Sequence, residues 1–274
     1  MIKRFISFNV NSIRARMHQL KSVIEKHQPF VIGLQETKVD DHSFPLEEVR
    51  ALGYHVAFHG QKSHYGVALL TKTEPLWIKK GFDHALDNKG DAVQARLISG
   101  AMMIDDQEWI VMNGYFPQGE GRDHPTKFPM KRAFYADITQ QANNFLQNNK
   151  PVILMGDANI AAEDIDVGIG ENNARRWLQT GKCSFLPEER QWMQTLKGDV
   201  LIDTFRYLHP HSTELSWFDY RSQGFLDTPK RGLRIDVILA AQTILNRCVA
   251  AGIDHDIRGM EKPSDHCPVW LDIE

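Results

Sequence analysis

The strongest chemical signal in the sequence is the segment PVILMGDANI, residues 151–160. A proline-led apolar run over 152–155 is typical of a strand buried on both faces, and Asp157 and Asn159 follow it closely. α/β proteins build their sites where rigid buried strands end in polar groups. Asp157 can take a proton from water there, and Asn159 can hold that water or an anionic oxygen. The alternative, a turn begun by Asp157 and a helix capped by Asn159, stays open at this point.

Polar residues also stand at the ends of other predicted strands. Four of them follow or end apolar runs in the first half of the chain: Asn9, Asn11, Glu36 and Tyr115. A single glutamate at a strand end is usually a solvated charge, and a tyrosine usually belongs to the core. The repeated pattern favours a shared site, in which the Tyr115 hydroxyl could reach an anionic substrate oxygen.

An adjacent Asp265–His266 pair precedes the last predicted strand. Neighbouring residues of an extended segment point to opposite faces, so these two are not partners of each other. Asp236, at the start of another apolar run, is available to orient His266. A single histidine beside a strand is more often structural, but the Asp-His-x-Pro turn is a more specific feature.

Basic and aromatic residues offer contacts for a phosphate-rich substrate. The Gly- and Pro-rich loop 119–129 carries Arg122 and Lys127. These cations suit phosphate contacts if the loop reaches the same sheet edge, and they are solvated charges otherwise. Trp217 and Phe218 form an aromatic cluster, which core packing explains as well as a stacking surface for a nucleotide or a pocket for a sugar does.

The sequence lacks the signatures of several other chemistries. It contains no G-x-S-x-G segment, no serine or cysteine placed beside a base, no Walker loop and no dinucleotide fingerprint. Carboxylates and carboxamides without clustered cysteine or histidine favour Mg²⁺ or Mn²⁺ over zinc. One histidine, one activating aspartate and a hard cation suit the hydrolysis of a phosphodiester by water.

Alternating strands and helices must position these residues, and the alternation predicts an α/β fold. We expect helices over 17–27, 131–148 and 187–196, and a short helix around 175–177 that ends at Gly181. We expect strands over 5–10, 30–34, 55–59, 67–71, 92–98, 109–115, 152–155, 201–205, 216–220, 237–241 and 269–271.

Composition and charge limit the remaining choices. The chain has 274 residues, enough for a sizeable core, and no linker or repeat, so we expect a single domain over 1–274. A net charge of -3 argues against tight coating of nucleic acid but allows a local basic cleft. Three scattered cysteines argue against a disulfide framework or a zinc site. Without a signal peptide or a run of transmembrane length, we expect a soluble cytoplasmic protein that does not bind membranes.

Nine segments together resemble the endonuclease/exonuclease/phosphatase superfamily. They are SFNVNSIRAR (7–16), GLQETK (33–38), HYGVALLTK (64–72), NGYFPQGEGRDHPTKFP (113–129), GDANIA (156–161), DIDVGIGENNARRWLQTGKCSFLPEER (164–190), SWFDYRS (216–222), GLRID (232–236) and SDHCPV (264–269). The short segments mark only the superfamily. The long ones at 113–129 and 164–190 are similar to its exonuclease III branch, the abasic-site endonucleases of base excision repair.

The resemblance implies a four-layer α/β/β/α sandwich of two packed mixed β-sheets flanked by helices. It implies that Glu36 binds a divalent metal, Mg²⁺ with Mn²⁺ able to substitute, and that Asn9 and Asp265 lie close to the metal or its waters. Asp157 would activate water, and Asn159 would position it. The remaining implied roles are phosphate contact by Tyr115 and His266, orientation of His266 by Asp236, other substrate contacts by Asn11, Arg122 and Lys127, and a pocket for a flipped baseless sugar lined by Trp217, Phe218 and Leu233.

The activity implied by this resemblance is a DNA repair phosphodiesterase. Such an enzyme removes nucleotides from 3′ ends of double-stranded DNA, cuts 5′ to abasic sites to leave a 3′-hydroxyl, and cleans blocked 3′ ends. Turning a nucleotide out of the duplex costs least free energy where no base has to be unstacked, and this gives selectivity for abasic sites. We expect a monomer without an obligate protein partner, and we expect loss of Trp217 to weaken mainly abasic-site selection.

Two other functions are weighed against this one. A relative acting on small or lipid phosphodiesters, such as a phosphoinositide phosphatase or sphingomyelinase, predicts a membrane-facing apolar loop or a signal peptide, and neither is seen. A DNA-binding protein that has lost catalysis predicts gaps among the catalytic set, and all five are present: Glu36, Asp157, Asn159, Asp236 and His266. Residues 81–108 match the family poorly, and the loop 224–232 is slightly longer than its pattern, which could alter the pocket.

Overall fold

The computed structural model of the chain describes residues 1–82, 94–147 and 150–274. Within these ranges twelve strands form two sheets. The first sheet contains β1 (Lys3–Asn9), β2 (Val31–Gln35), β3 (His55–His59), β4 (Val67–Thr71), β11 (Cys248–Ile253) and β12 (Val269–Ile273). The second contains β5 (Trp77–Lys80), β6 (Leu97–Ile104), β7 (Gln107–Tyr115), β8 (Val152–Asp157), β9 (Leu201–Asp203) and β10 (Asp236–Ala241). The α-helices are α1 (Met17–His27), α2 (Leu46–Arg50), α3 (Lys127–Leu146), α4 (Glu171–Thr180), α5 (Pro187–Lys197), α6 (Thr204–Leu208) and α7 (His255–Arg258).

The two sheets share one arrangement of strand directions. The order is β11-β12-β1-β2-β4-β3 in the first and β5-β6-β7-β8-β10-β9 in the second. Each has one parallel pair at its centre, β1 with β2 and β7 with β8, and antiparallel neighbours elsewhere. Parallel strands end at the same edge, so the polar residues that follow these four strands are brought to one rim of the sandwich.

Alternation along the strands builds two apolar interfaces at once. In β1, Phe5 packs between the sheets, whereas Ile6 and Phe8 pack outward with Leu20 and Val23 of α1. Helices α3 and α5 cover the second sheet, so the layers run helix, sheet, sheet, helix. The predicted four-layer sandwich is confirmed. Within the described ranges no helix combines the length and the apolarity needed to cross a membrane.

A polar bridge joins the sheets inside this apolar interface. The Asn113 side-chain amide donates hydrogen bonds to the carbonyls of Leu34 and Ala68, both at 2.9 Å, and accepts one from Gln35 Nε2 at 2.6 Å. Gly33 lies against this amide, where a Cβ atom would stand 2.7 Å from Asn113 Oδ1. Glycine is therefore required at position 33 for the two sheets to approach this closely.

Several predicted boundaries were wrong for local reasons. The strand expected over 201–205 ends at Asp203, because the Asp203 side chain accepts a hydrogen bond from Arg206 N and begins α6. The segment 216–220 is not a strand; in it Trp217 makes only isolated bridges, to Leu233 and His266. The strand expected over 92–98 begins at Leu97, and Ala92 and Val93 lie outside the described residues.

Other differences concern elements for which the sequence pattern was weak or absent. Strands β5 and β11 were not predicted, and α3 begins at Lys127 rather than at Lys131. The predicted end of that helix, Asn148, lies outside the described residues. Helix α4 is longer than predicted and ends, as predicted, at Gly181, whose φ of 67° allows the left-handed C-cap.

A buried ion cluster fixes the chain where it enters β10. The Arg234 side chain, 1% exposed, donates to Asp166 Oδ1 and Asp203 Oδ2, both at 2.7 Å. Arg206 Nη2 donates a further hydrogen bond to Asp166 Oδ1 at 2.6 Å. Because Asp236 follows Arg234 by two residues, the cluster also holds the first residue of β10 in place.

We expect Arg234→Leu to lower the free energy of unfolding by about 3–5 kcal/mol, because it leaves buried carboxylates without their main partner. Arg50→Leu is the matched control, since its ion pair with Glu47 is exposed and such pairs contribute about 0.5 kcal/mol. Urea unfolding of both variants measures the difference. Equal losses in the two variants would contradict a structural role for the buried cluster.

Candidate active site

The polar strand ends meet in a cavity of about 550 Å³ at one rim of the sandwich. Nine of the residues predicted from the sequence line it: Asn11, Glu36, Tyr115, Asp157, Asn159, Trp217, Leu233, Asp265 and His266. Asn9 and Asp236 stand directly behind this lining, each hydrogen-bonded to one of its residues. Residues far apart in the sequence thus form one site, because the parallel pairs of both sheets end at this rim.

His266 lies between two aspartates from the second sheet. Its Nδ1 is 2.9 Å from Asp236 Oδ2, and its Nε2 is 3.7 Å from Asp157 Oδ2. Ser216 Oγ donates to Asp236 Oδ2 at 2.6 Å and accepts the backbone N–H of Asp236 at 3.1 Å. The imidazole is therefore fixed at Nδ1, with Nε2 directed towards Asp157 and the cavity.

Burial and neighbouring charges shift the pKa values of His266 and Asp157. Burial alone would lower the pKa of His266, but the Asp236 and Asp157 carboxylates raise it to about 10. Burial raises the pKa of Asp157 to about 7, opposed by His266 and reinforced by Asp236. These shifts favour a protonated imidazole, which can donate a hydrogen bond, beside a carboxyl group whose affinity for a proton is raised.

Amide groups hold the Asp157 carboxylate in position. Asn9 Nδ2 donates to Asp157 Oδ2 at 2.9 Å across the two sheets. Asn159 donates its backbone N–H to Oδ1 at 3.0 Å and its side-chain amide to Oδ2 at 3.2 Å. The same amide of Asn159 also reaches the carbonyl of Phe116 at 2.9 Å. Asp157 is thus restrained at both oxygens.

Three residues of the site have backbone conformations that L-residues rarely adopt. The φ angles are 42° at Asn11, 58° at Glu36 and 52° at Asn159. Each left-handed residue other than glycine costs about 1–2 kcal/mol. Such conformations persist where the surrounding structure enforces them, and they concentrate at functional sites. Here they turn the chain sharply at strand ends so that these side chains face the cavity.

The donor set near Glu36 fits a hard divalent cation. Glu36 and Asp265 both line the cavity, and the Glu36 carboxylate raises the pKa of both Tyr115 and Asp157. Carboxylate and amide oxygens are the ligands that Mg²⁺ and Mn²⁺ prefer. Asp157, Asp236 and His266 also place ligand atoms within 4.8 Å of one another. His266 Nδ1 and Asp236 are already hydrogen-bonded to each other, however, so the Glu36 side fits a cation better.

Three predicted substrate contacts lie elsewhere. Phe218 is fully buried behind the cavity lining, with its ring against Phe225, and it donates its backbone N–H to Asp265 O at 2.9 Å. Arg122 and Lys127 lie outside the cavity on the surface, in ion pairs with Glu188 and Glu120. Their contact with substrate stays a prediction.

The sequence did not predict a cationic wall of the cavity. It is formed by Arg176, Lys182, Arg221 and Arg231, with Asn173 and Trp177 between them. Lys182 Nζ lies 3.9 Å from the centre of the Trp177 ring. Three of these side chains, Asn173, Arg176 and Trp177, come from α4, a helix with no fully buried residue. In the sequence, the adjacent Arg176 and Trp177 were the only sign of this wall, and only the fold brings them to the site.

A carboxyl group with a raised affinity for a proton, a fixed imidazole and oxygen donors suited to a hard cation are the groups that the hydrolysis of a phosphoester by water requires. A sandwich with such a site is typical of a metal-dependent phosphoesterase. The chain belongs to the Endonuclease/Exonuclease/phosphatase family, whose model matches residues 6–266. The resemblance found in the sequence is thereby confirmed.

Known relatives narrow the class. The chain is 56% identical over 272 residues to exodeoxyribonuclease III of Haemophilus influenzae, covering 99% of this chain and 100% of that protein. Two solved structures, a 3′ phosphatase from Neisseria bound to a product DNA hairpin and an AP endonuclease from Archaeoglobus fulgidus, each have a TM-score of 0.88, 30% identity and 99% coverage of both chains. The predicted enzyme class, a phosphodiester hydrolase of the exodeoxyribonuclease III type, is confirmed.

We expect the His266 ring of the metal-free protein to stay protonated at about pH 8 and to lose its proton as the pH rises through about 10. The raised pKa contributes stability that is complete below the unfolded value of about 6.5 and is lost as the ring deprotonates. Asp236→Asn removes the strongest upward influence, so the pKa should fall. NMR of the ring nitrogens against pH measures this shift, and unchanged titration in the variant would contradict the assigned pairing.

Proposed function

We propose that the protein is a Mg²⁺-dependent DNA repair nuclease. It removes nucleotides from 3′ ends of double-stranded DNA, cuts 5′ to abasic sites to leave a 3′-hydroxyl, and cleans blocked 3′ ends. The observation that carries the proposal is the restrained pair of Asp157 and His266 facing a cavity with oxygen donors on one wall and cations on another. The names of its relatives, an exodeoxyribonuclease III, a 3′ phosphatase and an AP endonuclease, support each part of this activity.

Asp157 acts as the general base. Its pKa of about 7 lets it accept the proton of the attacking water at neutral pH, and Asn159 holds that water. Glu36, with Asn9 and Asp265 close by, would hold a divalent cation, which would supply positive charge to the phosphate when bound. Each of these roles rests on where the side chain lies in the cavity.

His266 and Tyr115 act as hydrogen-bond donors to the scissile phosphate. His266 Nε2–H points into the cavity while Asp236 holds Nδ1, and the fixed donor needs no reorganisation as charge develops. Burial, reinforced by the Glu36 and Asp157 carboxylates, raises the pKa of Tyr115 well above its ordinary value, so its hydroxyl keeps its proton. The guanidinium of Arg96, 4.7 Å from the Tyr115 ring centre, helps to fix that ring.

Substrate selection is assigned to the two walls beyond the catalytic group. Trp217 and Leu233 form an apolar wall for a sugar without a base, and Asn11 lines the same cavity. The cationic wall, together with Arg122 and Lys127, suits the phosphates of a duplex that continues past the cavity.

We further propose that the enzyme acts as a monomer in the cytoplasm, without an obligate protein partner. Its three cysteines are free and buried, as expected of a protein in a reducing compartment.

The decisive experiment uses a labelled duplex with one abasic-site analogue, incubated with Mg²⁺ and separately with EDTA. Metal-dependent cutting 5′ to the lesion, together with loss of nucleotides from 3′ ends, is the expected result. Removal of terminal nucleotides alone would overturn the assignment of the Trp217 wall to abasic sugars. No cleavage of DNA under either condition would overturn the repair function.

We expect Asp157→Asn to lower kcat by about a hundred- to ten-thousandfold, because the amide cannot take the proton from water. DNA affinity should change little, since the substitution keeps the size of the side chain. Asp164→Asn is the control: this aspartate lies a few residues along the same loop, with its side chain 97% exposed. Single-turnover rates and DNA binding measure the two effects, and equal rates for Asp157→Asn and the parent enzyme would sink the mechanism.

A further inference from the structure

Trp217 is fixed in the cavity wall by its backbone. Its N–H donates to the carbonyl of Leu233 at 2.9 Å, and the N–H of Leu233 donates to the carbonyl of Trp217 at 3.0 Å. Gly232 permits this pairing, because a Cβ atom there would stand 2.1 Å from the Trp217 carbonyl oxygen. The backbone of Trp217 therefore has one defined position, and its half-buried side chain lines the cavity.

The indole also binds one of the acidic residues near the cation site. Trp217 Nε1–H donates to Asp265 Oδ2 at 3.0 Å. The other oxygen of the same carboxylate accepts a hydrogen bond from Asn11 Nδ2 at 2.8 Å. Both oxygens of Asp265 are thus held from opposite sides, and the carboxylate cannot turn without losing one of these bonds.

The contacts continue from Asn11 to Glu36. Asn11 Oδ1 accepts a hydrogen bond from Lys38 Nζ at 2.6 Å, and Lys38 Nζ lies 3.0 Å from Glu36 Oε1. An unbroken chain of polar contacts therefore leads from the sugar-facing wall to the glutamate at the cation site. Its order is Trp217, Asp265, Asn11, Lys38 and Glu36.

We infer that Trp217 is a positioning residue for the cation-binding carboxylates as well as a wall of the sugar pocket. This inference rests on the proposed function for the role of the cation. Groups that hydrogen-bond to metal ligands orient them, and their loss typically lowers metal affinity or activity about 10–100-fold. A substrate that presses on the indole therefore acts on the geometry of Asp265 and, through Asn11 and Lys38, on that of Glu36.

The inference predicts a result different from that of a simple apolar wall. If Trp217 served only as a wall, Trp217→Phe would weaken selection of abasic sites and leave both metal binding and 3′-end digestion intact. If Trp217 positions Asp265, the same variant weakens cation binding even without DNA. It also lowers digestion of 3′ ends, which a simple wall would leave intact, and excess metal restores that digestion.

The test measures Mn²⁺ binding to the metal-free protein by electron paramagnetic resonance of the free ion. We expect Trp217→Phe to raise the Kd for Mn²⁺ about tenfold or more. Trp77→Phe is the matched control, because its indole donates an equal bond of 3.0 Å to Glu108 on strand β7. Unchanged Mn²⁺ binding by Trp217→Phe would overturn the inference, whether or not the parent cleaves DNA.

A second variant interrupts the chain at its middle. Asn11→Gly removes both contacts of the side chain, and glycine accepts the φ of 42° at this position. We expect Mn²⁺ binding to weaken as in Trp217→Phe, and the Mg²⁺ concentration for half-maximal cleavage to rise equally for abasic duplex and for 3′ ends. A loss confined to abasic duplex, with Mn²⁺ binding intact, would show that the wall and the cation site are independent.

Discussion

The hydrogen bond from Asn9 to Asp157 joins the two sheets at the rim where the site forms. Asn9 ends β1 of the first sheet, and Asp157 ends β8 of the second, so neither sheet alone contains the residues proposed for catalysis. The contact between His266 and Asp236 crosses the same interface. Such bonds form only if the sheets approach to a fixed distance, which the dense apolar packing between them and the Asn113 bridge determine. The core of the sandwich therefore sets the geometry of the chemistry.

The electrostatics of the site also depends on residues from both sheets. Asp157, Asp236 and Glu36 repel one another in a region largely removed from water, and this repulsion together with burial raises the pKa of Asp157 towards neutrality. The protonated His266 offsets part of the negative charge, and a cation would offset more. A net charge of -3 for the whole chain limits nonspecific binding to DNA, while the cationic wall gathers positive charge where a duplex would enter.

The sequence predicted the elements that packing makes unambiguous. The apolar runs over 67–71 and 152–155 became central strands, whereas β5, a four-residue edge strand of sequence WIKK, gave no clear alternation. The candidate site residues at strand ends could be identified because the family motifs coincide with the ends of strands. Phe218, which the fold buries fully, was predicted to line the pocket because an aromatic residue next to Trp217 has the same composition signal whether it faces the cavity or the core. The left-handed backbone of Glu36 had no signature in residue type.

Helix α4 contributes Arg176 and Trp177 to the cavity and yet contains no fully buried side chain. The local stability of a segment follows the apolar contacts that it must break to open, so α4 needs less free energy to detach than the strands on which the catalytic group stands. Amide hydrogens of α4 would consequently exchange with solvent through local openings while those of β8 and β10 stay protected. The enzyme thus combines a rigid chemical centre with an entrance whose wall can yield to a rigid duplex without disturbing that centre.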